Sequence, residues 1–115
     1  MQKALLIFFV ATLVSCTQQQ NEPLKPCFGL IDKSGFTSAH YKAFQNSLKL
    51  HAKSCSAPGV ECGYKVTRNK ENQLLVNTGY FYRMPETFEC VQPIGGYQID
   101  VYDASGNFLR SVPGL

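Results

Sequence analysis

The chain has 115 residues, and its 11 lysines and arginines against 8 aspartates and glutamates give a formal net charge of +3 at pH 7. A chain of this length is expected to form a single domain. Its charge is too close to neutral to favour binding to nucleic acid or strong attraction to anionic lipid.

The first 15 residues have the pattern of an export signal. Lys3 supplies a positive charge, and residues 4–14 are almost wholly apolar, as in the charged region and apolar core of a signal peptide. As a helix, about 11 residues would rise only about 16 Å, far less than the roughly 30 Å hydrocarbon core of a bilayer. Residues 1–15 are therefore predicted to be removed rather than to span a membrane.

The signal segment ends in Leu13-Val14-Ser15-Cys16. This resembles the lipobox of bacterial lipoprotein signal peptides, in which an aliphatic residue, a small or aliphatic residue and a small residue precede an obligatory cysteine. The resemblance implies that the Cys16 thiol carries a diacylglycerol, that the chain is cut before Cys16, and that the new amine is acylated, for example with palmitate. Two or more acyl chains anchor a protein firmly, since each buried methylene contributes about 0.8 kcal/mol. The alternative is a secretory signal followed by a chance cysteine.

The residue after Cys16 bears on which membrane holds the protein. In this family an aspartate there tends to retain the protein at the inner membrane, and Thr17 occupies the position, which implies lipid anchoring at the outer membrane, facing the periplasm. Residues 16–26 are polar and contain two prolines, and are predicted to form a flexible tether that reaches at most about 35 Å. The predicted division is signal peptide 1–15, tether 16–26 with lipidated Cys16, and one globular domain 27–115.

Four cysteines remain once Cys16 is assigned to the lipid: Cys27, Cys55, Cys62 and Cys90. In an exported protein they predict two disulfides, for which three connectivities exist. Cys55 with Cys62 and Cys27 with Cys90 is the favoured pattern, and the crossed alternatives remain open. A zinc site is the rival interpretation, but the chain lacks a C-x-x-C pair and an oxidising compartment favours disulfides, so no metal is predicted.

A helical pattern covers residues 37–54. Its apolar positions recur at helical spacing and predict the stripe that packs on a sheet: Tyr41, Phe44, Leu48 and Ala52. Thr37 or Ser38 can cap the helix at its N-terminus.

After the helix the pattern changes to the alternation typical of strands. Five segments are predicted as strands, in two hairpins and one short piece: residues 63–68, 73–82, 88–91, 97–102 and 107–112. The predicted fold class is α+β, with one helix packed on an antiparallel sheet of four to five strands and with two disulfides.

The order of these elements resembles the cystatin-like roll. The resemblance rests on the helix, the meander, the pair Gly95-Gly96 before a strand, and the final hairpin of residues 97–109. The resemblance covers about residues 37–112. Within this fold, the chain is similar in particular to small immunity proteins with a nuclear-transport-factor-like fold, which neutralise secreted toxins. The Gln-x-Val-x-Gly loop of cystatins is absent from this sequence, so the resemblance implies no particular binding residue in this chain.

The side chains capable of catalysis form no recognised motif. His40 and His51 are about 16 Å apart along a helix, too far to share a metal or a proton, and are predicted to lie at the boundary or towards solvent. Asp103 is predicted to bind turn amides rather than to pair with Asp100. The serines lack a nucleophile-elbow context, and the glycine pair lacks phosphate-loop spacing. No enzymatic activity and no cofactor are therefore predicted.

The candidate binding residues are Tyr80, Tyr82, Arg68 and Arg83. Alternation places the two tyrosines on one face of a strand and Phe81 on the other. Tyrosine and arginine are enriched at binding hot spots, so a tyrosine-rich surface with both arginines is predicted on the sheet face opposite the helix. Ordinary filling of a half-buried sheet is the alternative.

The function expected from these observations is that of a small membrane-anchored lipoprotein acting as a periplasmic protein-binding module, of the inhibitor or toxin-immunity type. The alternative is a structural or assembly lipoprotein of the cell envelope. The expected partners are the membrane, through the lipid on Cys16, and a periplasmic protein, without nucleic acid.

Overall fold

One main helix packs on an antiparallel sheet, which is the predicted α+β fold. The computed structural model describes residues 25–114, so the predicted signal peptide, Cys16 and most of the predicted tether lie outside the described residues. The helices and strands of residues 25–114 are α1 (Ser38–Leu50), α2 (Ala52–Cys55), β1 (Val60–Arg68), β2 (Leu74–Arg83), β3 (Cys90–Val91), β4 (Tyr97–Tyr102) and β5 (Phe108–Pro113). In this part of the chain, none of the helices has the length and apolar character needed to cross a membrane.

Helix α1 begins at a capping box, and the predicted cap at Thr37 is confirmed. The Thr37 hydroxyl accepts the backbone N–H of His40, and Nδ1 of His40 accepts the backbone N–H of Thr37. These two contacts satisfy amide groups that the first helical turn leaves without a partner. At the other end His51 is the C-cap, and its N–H reaches the carbonyls of Ser47 and Lys49.

The buried face of α1 differs from the predicted apolar stripe. Its buried side chains are Ala43, Phe44 and Ser47, and His51 after it is only 6% exposed, whereas Tyr41 is 43% exposed. Ser47 and His51 can be buried because polar side chains of the sheet bind their polar atoms. Of the predicted stripe, Phe44 is buried, whereas Tyr41 and Ala52 are exposed, so the stripe is correct only in part; the predicted boundary or solvent-facing position of His51 is wrong.

The sheet has the strand order β1-β2-β4-β5, and β3 pairs with β2 beyond the start of β4. All pairs are antiparallel, with Leu74 opposite Tyr102 at one end of β2 and Tyr82 opposite Val91 at the other. Alternate residues of β2 point towards α1. The hydrophobic core between helix and sheet consists of Ala43, Leu74, Val76 and Tyr102, against which Ala39, Tyr64 and Val66 pack.

Two disulfides join the predicted pairs of cysteines. Cys55–Cys62 links the end of α2 to β1, and Cys27–Cys90 links the chain before α1 to β3. The favoured connectivity is confirmed, and the crossed alternatives do not occur.

The chain before α1 covers the sheet face opposite the helix. The Phe28 ring lies 5.6 Å from the Phe81 ring and rests against Gly63 and Gly79, which are cross-strand partners on β1 and β2. A β-carbon built on Gly63 would overlap the Phe28 side chain. The two glycines therefore leave the space that Phe28 fills, and Phe28 covers this part of the sheet face opposite the helix.

Replacing Gly63 with alanine is expected to lower the free energy of unfolding by roughly 2 kcal/mol, because the new methyl group must displace a packed aromatic ring. Urea unfolding without reductant, followed by circular dichroism, measures the change. Gly29→Ala is the matched control, since a β-carbon there meets no atom within 4 Å, and its midpoint should stay near that of the unmodified protein. Equal midpoints for the two variants would contradict the close packing at Gly63.

Candidate functional site

An open groove lies between the end of the helical region and the sheet. Its volume is about 430 Å³, within the range of roughly 300–1,000 Å³ that is usual for ligand pockets. The residues that line it are all uncharged: Ser54, Ala57, Val60, Tyr80, Tyr82, Gly95 and Gln98. The groove can therefore offer aromatic surface and neutral hydrogen bonds.

The structure brings two of the predicted binding residues, Tyr80 and Tyr82, together in this groove. Tyr82 is 50% exposed and lies opposite Val60 on β1 and Val91 on β3. Tyr80 is half-buried, and its hydroxyl oxygen lies 2.6 Å from Nδ1 of His51. Both rings are on the sheet face that packs on the helix, so their predicted location on the opposite face is wrong.

A buried polar network centred on Asp100 supports Tyr80. The Asp100 side chain is fully buried. One carboxylate oxygen lies 2.8 Å from Nε2 of His51 and accepts the Ser47 hydroxyl at 2.7 Å, and the other accepts the Ser111 hydroxyl at 2.6 Å. A buried carboxylate with three donors around it is a satisfied group that fixes its neighbours in place.

The direction of the hydrogen bonds follows from the carboxylate, which carries acceptors only. Nε2 of His51 then carries a proton, and on the neutral imidazole Nδ1 accepts the proton of the Tyr80 hydroxyl. On the other side of Asp100, Ser47 lies 2.7 Å from the Tyr102 hydroxyl, which accepts the Asn46 side-chain amide at 2.9 Å. The network thus joins α1 to three strands and sets the orientation of one groove hydroxyl.

The electrostatics of the groove favour binding over nucleophilic attack by Tyr80. Burial raises the pKa of the Tyr80 hydroxyl, and the nearby Asp100 and Tyr64 raise it further. A phenol with a raised pKa stays protonated at neutral pH, so it forms hydrogen bonds rather than acting as a phenolate.

Arg68, a predicted binding residue, lies at the far end of β1 from the groove. It is opposite Leu74, and its guanidinium donates to the side chain of Asn72 at 2.6 Å and to the Asn72 carbonyl at 3.2 Å. Arg68 therefore stabilises the turn between β1 and β2 and does not share a surface with Tyr80 and Tyr82.

Arg83, the fourth predicted residue, follows Tyr82 but points to the other face of the sheet. Its guanidinium forms an ion pair with Glu61 and donates to the carbonyls of Lys25 at 2.6 Å and Phe88 at 2.9 Å. The hydrogen bond from Arg83 lowers the pKa of the Glu61 carboxyl. Arg83 therefore holds the N-terminal segment and the loop after β2 against the sheet.

Sequence reasoning missed His51 and Asp100 as members of the site. The available signal was Ser47 and His51, one helical turn apart on the face of Phe44; alternation gave no signal for Asp100, which lies between the apolar Ile99 and Val101. The turn prediction for Asp103 is confirmed, since its carboxylate accepts the N–H groups of Ser105 and Asn107.

Between residues 25 and 114, no three histidine, cysteine, aspartate or glutamate side chains come close enough together to hold a metal ion. Comparison with models of known protein families, with characterised proteins and with solved structures finds no match to the chain. Inference about function therefore depends on the groove and on the N-terminal sequence.

Proposed function

We propose that the chain is a membrane-anchored lipoprotein whose domain binds a protein partner in the periplasm, as an inhibitor or a toxin-immunity protein does. The observation that carries this proposal is the composition of the groove. It combines an exposed Tyr82 ring with a Tyr80 hydroxyl that buried His51 and Asp100 hold in one orientation.

Such a groove suits a protein segment for two physical reasons. Tyrosine rings offer a large amphipathic contact at a low cost in side-chain entropy, and a hydroxyl that is already oriented loses little further freedom on binding. The uncharged lining, with Ser54 and Gln98 at its edges, favours a neutral partner segment that supplies apolar surface and hydrogen-bonding groups.

The N-terminal sequence supports the location. The lipobox at Leu13-Val14-Ser15-Cys16 would fix the domain to a membrane through the lipid on Cys16. The tether of residues 16–26 would let the domain lie up to about 35 Å from the anchor.

The test is recovery of a partner by the full-length lipoprotein after cross-linking in cell envelopes. Tyr82→Ala is expected to reduce that recovery at least about tenfold, the effect of losing an aromatic hot spot. Tyr41→Ala is the matched control, because Tyr41 is 43% exposed on α1, outside the groove, and it should leave recovery unchanged. Failure to recover any stoichiometric partner, or equal recovery by both variants, would contradict the proposal.

A further inference from the structure

Exposed apolar side chains gather at the end of the sheet where the predicted tether joins the domain. We define the tether-end patch as Met84, Phe88, Val91 and Ile94. All four are exposed: Phe88 to 52%, Met84 and Val91 to slightly over 40%, and Ile94 completely. They lie in the loop after β2, in β3, and in the loop between β3 and β4.

Local hydrogen bonds hold the loop in a shape that keeps Phe88 exposed. The N–H of Met84 donates to the Glu89 carbonyl at 2.8 Å, and the N–H of Phe88 donates to the Met84 carbonyl at 2.9 Å. Phe88 has a φ of 59°, a left-handed conformation that is unusual for an aromatic residue. The structure thus stabilises an unfavourable backbone conformation at a residue whose side chain faces solvent.

The covalent connections place this patch close to the anchor. The tether ends at Cys27, which is bonded to Cys90 with 5.5 Å between their α-carbons, and Cys90 immediately precedes Val91 of the patch. With at most about 35 Å of chain between Cys16 and this point, the patch is held at high effective concentration near the membrane.

We propose that the tether-end patch rests on the lipid bilayer that carries the anchor, an inference that depends on the proposed lipidation of Cys16. Phenylalanine, isoleucine, valine and methionine are suited to the boundary between headgroups and acyl chains. The lipid anchor and the short tether would keep the patch near the bilayer at all times. A second copy or another protein would have to reach the patch by diffusion.

The charges around the patch limit how the domain docks. Glu86 and Glu89 are exposed within the same loop, whereas Arg83 is paired with Glu61 and Lys25 is the nearest cation along the tether. Two carboxylates at the contact keep the loop at headgroup depth and disfavour anionic lipid. Docking is therefore shallow, and it is stronger on zwitterionic membranes.

Because the chain has no tryptophan, a single introduced tryptophan reports on its own surroundings. Two variants of the full-length chain carry the probe, one with Phe88→Trp and one with Ile94→Trp. Each protein is produced in a bacterium that processes lipoproteins. It is then reconstituted into phosphatidylcholine vesicles with brominated acyl chains. Phe108→Trp is the control, since Phe108 is 46% exposed and pairs with Tyr102 at the other end of the sheet. Bromine is expected to quench both patch tryptophans by about half, as contact at the headgroup boundary requires, and to leave the control unquenched.

Vesicle flotation and the mass of the Cys16 peptide are measured on the same samples. An unmodified Cys16 would overturn both the anchor and the docking, whereas a lipidated, floating protein whose patch tryptophans are quenched no more than the control would overturn the docking alone. Emission that shifts to the blue without quenching, and more so at high protein density, would assign the patch to a second copy and would also overturn it. Weaker quenching on phosphatidylglycerol vesicles would support the role of Glu86 and Glu89.

Discussion

Replacing Asp100 with asparagine is expected to lower the free energy of unfolding by about 3 kcal/mol. The Asp100 side chain is fully buried, and its carboxylate accepts from Ser47, Ser111 and His51. An asparagine amide has the same shape, but it brings two donors of its own to a position where three donors already converge. If the amide oxygen keeps the Ser47 and His51 donors, the amide nitrogen faces Ser111, whose hydroxyl can accept only one of the two N–H groups, so one buried N–H is left without a partner.

Urea unfolding without reductant, with the secondary structure followed by circular dichroism, measures this loss. Asp103→Asn is the matched control, because the amide oxygen can still accept the N–H groups of Ser105 and Asn107, and it should change stability by less than about 1 kcal/mol. If both variants unfold at the same urea concentration, the network does not hold the helix on the sheet.

Removing the disulfide between Cys27 and Cys90, by replacing both with serine, is expected to reduce stability by about 4 kcal/mol, against about 2 kcal/mol for the Cys55–Cys62 pair. The difference arises because the first bond closes a sequence separation of 63 residues and the second only 7, so the first restricts the unfolded chain more. The larger loss is a substantial fraction of the 5–15 kcal/mol typical of a whole domain.

Equilibrium unfolding of the two double variants, each compared with the unmodified protein, tests this order. The variant without Cys27–Cys90 should also free the segment that carries Phe28, which hydrogen exchange at β1 and β2 would detect. Equal stabilities for the two variants would show that the stabilisation by each disulfide does not depend on the length of the loop that it closes.

The features that could be predicted from the sequence are those set by neighbouring residues. Thr37 lies three residues before His40, within reach of its amide, and the hairpin strands alternate around short polar turns. Each depends on contacts within a few residues, so the order and type of the elements follow directly from the pattern. The pairing of Cys55 with Cys62 is local in the same way.

Tyr80 and Tyr82 of the candidate site were predicted, but the polar network behind them could not be, because its residues meet only in the folded chain. His51 and Asp100 are 49 positions apart in the sequence. Apolar periodicity does not identify buried polar residues, because each of them is buried only when its partner is present. The face of the two tyrosines was misassigned for a related reason. Aromatic side chains pack on both faces of the sheet, Tyr102 beneath α1 and Phe28 with Phe81 on the other face, so alternation alone does not identify the helix side.

The disulfide between Cys27 and Cys90 also determines how the domain would bear mechanical load. Tension in the tether would enter the domain at Cys27. The covalent bond passes it to Cys90 and from there to β3, so the chain before α1 and the helix itself cannot be peeled away from the N-terminal end. The disulfide therefore carries that tension into the short strand paired with β2.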